Sequence, residues 1–425
     1  MDRKFKILVF PCGSEIGHEI YRSLKYSIHI ELFGASSVED HGAFVYDNYI
    51  SGLPFFNDSK FISVINKIIN EYGIDAIYPA MDGVMAELGK YADKIECRII
   101  GSSPKTSSIC LSKKKTYDHL KGLVDLAKIF SSIEEVPQYP VFMKPDVGYG
   151  SRGAKVIKNK NEGKQHLKDF SSSLILENLP GNEFTIDCFT NKDGELLFAG
   201  GRKRNRIQNG ISVNTYPVTD NEQFQNIAKI INEKIEFRGA WFFQLKEDGT
   251  GKLRLLEVAS RLGGSSSLYR NLGVNFALMS VFDSFDIPVQ ILLNEYGIEM
   301  DRALDNKFKI NIKYNTAYVD FDDCLLLGES VNTQLISFLY QALNENIRLV
   351  LITRHALQID ESLQKYRLRE IFDEVIHITN KEPKYKYMEA KDAIFIDDSF
   401  AERKAVKNKL KIPVFAPDAI ESLLK

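Results

Sequence analysis

Short apolar runs ending at glycine or proline alternate along this chain with stretches whose apolar residues recur every three or four positions. Residues 6–11 read as a buried strand, followed by the turn Cys12-Gly13-Ser14-Glu15-Ile16-Gly17 and an amphipathic helix over 18–24. The pattern then predicts a helix over 61–72, a strand over 76–79, a helix over 84–91 and a strand over 98–101. Alternating strands and helices of this kind predict an α/β domain over residues 1–104. The turn at 13–17 is not a G-x-G-x-x-G fingerprint. It reads either as a tight strand-to-helix turn or as a helix N-terminus facing a carboxylate or phosphate.

From about residue 105 the pattern changes to strand-rich stretches broken by glycine clusters, and a second domain is expected over 105–305. Near residue 310 strand–helix alternation returns and runs to the end, which predicts a third domain over 306–425. The polar stretch 301–315 is the expected linker. Neither internal repeats nor low-complexity tracts interrupt this order.

A chain of 425 residues suits two or three such domains. Its 44% hydrophobic and 26% charged content is that of a globular protein. A formal net charge of −2 argues against a nucleic-acid binder relying on bulk positive charge. Cys12, Cys97, Cys110, Cys188 and Cys324 are scattered without metal-ligand spacing, which favours unpaired thiols in a reducing compartment. The first apolar run is too short for a signal peptide or a membrane span, so a cytoplasmic location without membrane partners is expected.

The densest chemical signal lies in YPVFMKPDVGYGSRG, residues 139–153. A strand delivers Lys144, and a loop with Gly148, Gly150, Ser151, Arg152 and Gly153 follows. Glycine lets backbone N–H groups approach phosphate oxygens, and lysine adds a point charge. Because G-K-[ST] is missing, this is not a Walker A loop. Upstream, Lys113 begins a helical run, and downstream Glu177 and Glu183 flank a glycine turn between two strands. Gln244 and Glu257 lie on two later strands and offer oxygen ligands suited to Mg²⁺. Simple alternation puts Glu257, Ala259 and Arg261 on one face.

These motifs resemble the ATP-grasp superfamily, in particular its carbamoyl-phosphate-synthetase-like and biotin-carboxylase-like branch. The matching pieces are SKKKTY at 112–117, the loop at 139–153, LENLPGNEFTID at 176–187 and EVASRLGG at 257–264. The resemblance implies a pre-ATP-grasp α/β domain followed by an ATP-grasp domain. It implies ATP phosphates held by Lys113 and Lys144 together with Gly150 and Ser151. Glu177 and Leu179 would lie at the adenine hinge, Glu183 at the ribose, and Gln244 and Glu257 on Mg²⁺, with Mn²⁺ as the alternative ion. Arg261 would hold the group being phosphorylated. None of Arg202, Lys203, Arg204 and Arg206 is singled out as a further anion-binding group. Where the family has E-x-N-x-R, this chain has Ala259, which removes one ligand of a second Mg²⁺; Ser260 is the substitute the sequence offers.

In the last segment an apolar strand over 316–319 ends in Asp320-Phe321-Asp322-Asp323. Aspartates two apart after a buried strand suit a nucleophile and a general acid/base. Two further strands end in Thr353-Arg354 and Asp397-Asp398, as a parallel sheet needs to gather groups at one edge. The segment resembles the haloacid-dehalogenase-like (HAD) phosphatases. The resemblance implies a Rossmannoid fold with Asp320 as nucleophile, Asp322 as acid/base, Thr353 orienting the phosphoryl group and Lys384 stabilising charge, with Lys381 and Lys386 close by in sequence. Mg²⁺ would be bound by Asp320, Asp322, Asp397 and Asp398. Cys324 stands where the family has Thr or Val, and about 25 residues before the next strand leave no room for a large cap.

Together these features predict an α/β and α+β multidomain enzyme. Its expected activity is ATP-dependent joining of a small-molecule carboxylate to an amine through an acyl phosphate, with a fused phosphomonoesterase. The rival readings are an ATP-dependent phosphotransferase and an ATP-binding regulatory module. The apolar first segment would accommodate a homodimer face.

Overall fold

The computed structural model describes all residues except 1, 2, 149–151, 220, 221, 295, 305–307, 309, 381 and 390. The chain divides into two compact units, Met1–Leu304 and Asp305–Lys425.

The first unit opens with strands β1 (Phe5–Phe10), β2 (Ile30–Ala35), β3 (Asn48–Ile50), β4 (Ala76–Pro79) and β5 (Arg98–Ile99), interleaved with helices α1 (Glu15–Leu24), α2 (Phe61–Tyr72) and α3 (Asp82–Lys90). The strands form a parallel sheet in the order β3-β2-β1-β4-β5. Both faces are covered, which is why residues 7–10 of β1 are an unbroken apolar run. Ile7 and Val9 pack with Ile20 and Leu24 of α1. Leu8 and Phe10 pack with Ile65 and Ile69 of α2 and Leu88 of α3. Each such fully buried side chain contributes about 1.5–3 kcal/mol. At the turn after β1, Ser14 caps α1 by accepting from the Gly17 N–H at 3.0 Å. A Cβ on Gly17 would meet the Cys12 carbonyl oxygen at 2.3 Å, so this helix approaches the turn too closely for any side chain.

Helices α4 (Pro104–Leu111) and α5 (Lys113–Leu120) lead into a four-stranded antiparallel sheet. Its strands are β6 (Ile129–Phe130), β7 (Val141–Pro145), β8 (Lys155–Ile157) and β9 (Ser173–Glu177), in the order β6-β9-β7-β8, with α6 (Lys160–Asp169) between β8 and β9. A six-stranded sheet follows, built from β10 (Glu183–Thr190), β11 (Leu196–Gln208), β12 (Ile211–Pro217), β13 (Gly239–Glu247), β14 (Leu253–Ala259) and β15 (Met300–Asp301). Its order is β14-β13-β10-β11-β12-β15, antiparallel throughout. Helices α7 (Glu222–Lys234), α8 (Ser267–Asn271) and α9 (Phe276–Ser284) complete the unit. The linker therefore begins later than residue 301. Met300 and Asp301 pair with Thr215 and Asn214, and the Asp301 carboxylate accepts from Arg206 at 2.7 Å.

The second unit is a parallel sheet of β16 (Thr316–Val319), β19 (Arg348–Thr353), β20 (Glu374–His377), β21 (Ala393–Ile396) and β22 (Val414–Phe415). The hairpin β17 (Leu326–Leu327) and β18 (Ser330–Val331) follows the first strand, and the helices are α10 (Thr333–Asn344), α11 (Ile359–Lys365) and α12 (Phe400–Leu410). Strand order is β20-β19-β16-β21-β22. Chain direction from β16 reverses between its two neighbours, a switch point at which the carboxyl ends of β16 and β21 open a crevice. Only the small hairpin and α10 separate Asp322 from β19. Cys324 is fully buried in the apolar cluster with Val319 and Leu335.

Candidate functional site

Strand alternation divides the six-stranded sheet of the first unit into two chemically different faces. Phe184, Ile186, Cys188, Trp241, Phe243, Leu245 and Val258 form the apolar face, packed on Phe224, Ala228 and Ile231 of α7. The opposite face is polar. Glu183, Thr185 and Asp187 of β10 stand opposite Lys246, Gln244 and Phe242 of β13. Thr185 is also paired with Arg202 of β11, and Gln244 with Glu257 of β14.

Glu257 reaches this face because of a bulge. Gln244 pairs with Glu257 and Leu245 with Leu255, so Leu256 is an extra residue in β14. Strict alternation would place Leu255 and Glu257 on the same face. The bulge changes the parity, leaving Leu255 in the apolar core while Glu257 and Ala259 face the polar side. Neighbouring elements take up carbonyls at the bulge: Lys144 Nζ of β7 donates to Leu256 O at 2.7 Å, and the Tyr117 hydroxyl of α5 donates to Leu255 O at 2.8 Å.

The groups around the bulge form one electrostatic cluster. Burial pushes the Lys144 ammonium down to about 8; Glu257 opposes the shift and Lys113 adds to it. Lys113 Nζ donates to the Asp146 carbonyl at 3.2 Å, just past Lys144. Glu183 and Glu257 act on Lys144 and Arg204 alike. Arg204 is bonded to Glu183 and to Gly210 O, while Lys246 Nζ lies 3.2 Å from the other Glu183 oxygen. Arg202 forms a buried pair with Asp187 at 2.7 Å. Arg202 Nη1 and Arg204 Nε are nonetheless buried without a hydrogen-bond partner. Buried cations with spare N–H groups fit a polyanionic ligand such as a nucleotide triphosphate. Gln244 and Glu257, an amide oxygen and a carboxylate side by side, fit a Mg²⁺ that takes its remaining ligands from phosphates and water.

The other expected residues fall as follows. Glu177 accepts from the Lys128 N–H at 2.8 Å, and Leu179 is buried with Tyr117, Ala127 and Leu176. Gly150 and Ser151 lie outside the described residues. Two further residues follow β14. Arg261 lies beyond β14, which ends at Ala259; it reaches the polar side by stacking over Phe242, with its Nε held by Asp82 of α3 at 2.7 Å. Ser260 is buried just past the end of β14. Sequence reasoning missed Asp82, the Arg202–Asp187 pair and the cation partners of Glu183. Long-range ion pairs leave no local pattern in the chain.

In the second unit the strand ends converge. One carboxylate oxygen from each of Asp320, Asp397 and Asp398 lies within 4.8 Å of the others. Lys384 Nζ bridges Asp320 at 2.5 Å and Asp397 at 2.7 Å, and all three are buried. Burial raises the Asp320 pKa, Lys384 opposes the shift and Asp397 adds to it. For Lys384, burial is outweighed by the two carboxylates, which hold the ammonium charged. Of the neighbouring lysines, Lys386 pairs on the surface with Glu382, and residue 381 lies outside the described residues. Thr353, fully buried at the end of β19, accepts from the His355 N–H at 3.1 Å. Three carboxylates beside one ammonium are a donor set that fits Mg²⁺. Asp322 stands outside this group and bonds His355 at 2.8 Å. The sequence reading did not single out His355.

Residues 169–302 match the model of a family described as ATP-grasp in the biosynthetic pathway with Ter operon. The chain is 25% identical over 244 residues to the D-alanine–D-alanine ligase of Fusobacterium nucleatum, covering 53% of this chain and 82% of that protein. It spans about half (48%) of the length of a Thermotoga D-alanine–D-alanine ligase, at 28% identity. Among solved structures, the biotin carboxylase domain of Hydrogenobacter thermophilus 2-oxoglutarate carboxylase, in complex with MgADP and bicarbonate, superposes with a TM-score of 0.56 and 16% identity, covering 69% of this chain and 72% of that one. The L-amino acid ligase of Bacillus licheniformis gives a TM-score of 0.55 at 17% identity, over 68% of this chain and 76% of that one. The family match thus lies within the first unit, and the likeness to these solved structures is one of fold.

Proposed function

We propose that residues 1–304 form an ATP-dependent carboxylate–amine ligase and that residues 305–425 form a HAD-like phosphomonoesterase. The observation that carries the first part is the bulge at Leu256, which sets Glu257 beside Gln244 and gives Lys144 a carbonyl anchor on the same segment. In this reading ATP is a substrate. Lys113 and Lys144 bind its phosphates, Gln244 and Glu257 hold Mg²⁺, and the ion neutralises phosphate charge. Arg261, positioned by Asp82, holds the carboxylate while it attacks the terminal phosphorus. ADP leaves, an amine attacks the acyl phosphate, and phosphate departs as the amide forms. Fixing these groups in place supplies proximity and electrostatic stabilisation. The amino acid ligases among the relatives favour amino acids as both partners.

In the second unit Asp320 attacks the phosphorus of a monoester and Asp322 protonates the leaving oxygen. Water then releases phosphate from Asp320, returning the proton to Asp322. Asp320, Asp397 and Asp398 hold Mg²⁺, which offsets repulsion between carboxylate and phosphate.

The test is ADP release from MgATP across a panel of D- and L-amino acids, with the products resolved by mass spectrometry. Amide formation matched to ADP supports ligation. ADP with a phosphorylated acceptor and no amide would favour phosphotransfer, and tight ATP binding without ADP would favour a regulatory module.

A further inference from the structure

The mechanism above makes no use of His355, yet both ring nitrogens of this residue are engaged. Nδ1 lies 2.8 and 3.0 Å from the two oxygens of Asp322, and Nε2 lies 2.8 Å from Ser362 Oγ. The ring meets Phe321 edge-on, with centroids 5.0 Å apart at 76°. Its backbone is fixed as well, since the His355 carbonyl accepts from His377 Nε2 at 2.8 Å. With one Asp322 oxygen protonated, as the first step requires, the other oxygen still accepts from a proton on Nδ1. In that tautomer Nε2 accepts from the buried Ser362 hydroxyl. Asp322 itself is 46% exposed and, among the described residues, has no other side-chain partner.

We propose that His355, held by Ser362, is a positioning residue that fixes the Asp322 carboxyl group for proton transfer to the leaving oxygen. This rests on the phosphatase reading of the second unit. In the first step an Asp320 oxygen bonds to phosphorus, the ester P–O bond breaks, and the leaving oxygen takes the Asp322 proton. A misplaced Asp322 therefore slows departure of a poor leaving group and hardly affects a good one.

The readout is the single-turnover rate of leaving-group release by the full-length protein with Mg²⁺, which reports the first step alone. An alkyl monophosphate is compared with dinitrophenyl phosphate. His355→Ala is expected to slow the alkyl ester about 100-fold and the aryl ester less than about threefold. His355→Asn, whose amide can donate from near the Nδ1 position, restores most of the rate, and Ser362→Ala shows a smaller loss with the same preference. If His355→Ala does not fold, the other two variants carry the comparison. Equal losses for both esters, or no loss for either, overturn the positioning role while leaving the phosphatase reading intact. Absence of phosphate release from any monoester by the wild type overturns both.

Discussion

Gln244 of β13 lies directly opposite Glu257 of β14, and the two side chains share the polar face of the sheet because Leu256 is bulged. This pair is the whole of the protein's expected contribution to one Mg²⁺, since Ala259, two residues on, offers no oxygen. Glu257→Gln should lower kcat for ADP release by at least about 100-fold and raise the Mg²⁺ concentration needed for half-maximal rate. Ala259→Asn should lower that concentration by adding a ligand. Titration of the rate with Mg²⁺ checks both.

Lys144 gives the proposed ATP site a pH signature. Burial brings its ligand-free pKa down to about 8, whereas a bound phosphate favours the charged amine. Nucleotide binding therefore takes up a proton above pH 8, and affinity should fall by about tenfold per pH unit there while staying flat below. Because the folded pKa lies below the unfolded one, the charged form costs stability in the ligand-free protein, and that cost fades as pH rises from about 8 toward the unfolded value. Calorimetric ATP titrations from pH 6 to 10 should show the break in the wild type and weak, pH-independent binding in Lys144→Met.

The Arg202–Asp187 pair is nearly solvent-free, with side-chain exposures of 4% and 2%. Asp187→Ala would leave a buried guanidinium without its counter-charge and should cost about 3–5 kcal/mol in denaturant unfolding. The double variant Asp187→Leu with Arg202→Met should recover most of that loss, because the buried charge is gone.

Asp320→Asn should reduce phosphate release from monoesters by at least about a thousandfold. It should leave acceptor-dependent ADP release unchanged, since the two activities are assigned to separate units. Parallel assays on one preparation check both halves of this expectation.

Strands and helices that carry their own periodicity were legible in the chain: the apolar run of β1, the helix over 61–72 and the three acid- or hydroxyl-ended strands of the second unit all appear where their patterns predict. The bulge in β14 was not. Leu255 and Leu256 are both apolar, and nothing in an apolar pair says which residue is extra. Alternation from Glu257 to Ala259 holds, but it says nothing of the parity change between Leu255 and Glu257. Arg261 was assigned to the same face by that argument, yet Asp82, 179 positions earlier, orients it. His355 escaped notice for a related reason. Its partners Asp322 and Ser362 sit on different elements, and a lone histidine after Thr353-Arg354 has no spacing that marks it. Lys384, by contrast, was named from sequence with Lys381 and Lys386 close by, and it lies buried between Asp320 and Asp397 while Lys386 pairs with Glu382 on the surface.

The central claim is that a carboxylate oxygen attacks the terminal phosphorus of ATP. The most direct measurement uses an acceptor carboxylate labelled with ¹⁸O, with the inorganic phosphate analysed by mass spectrometry after amide formation. One ¹⁸O atom per phosphate is the predicted result, because the bridging oxygen of the acyl phosphate leaves with phosphorus. Phosphate free of label, formed in step with the product, would contradict the ligase mechanism.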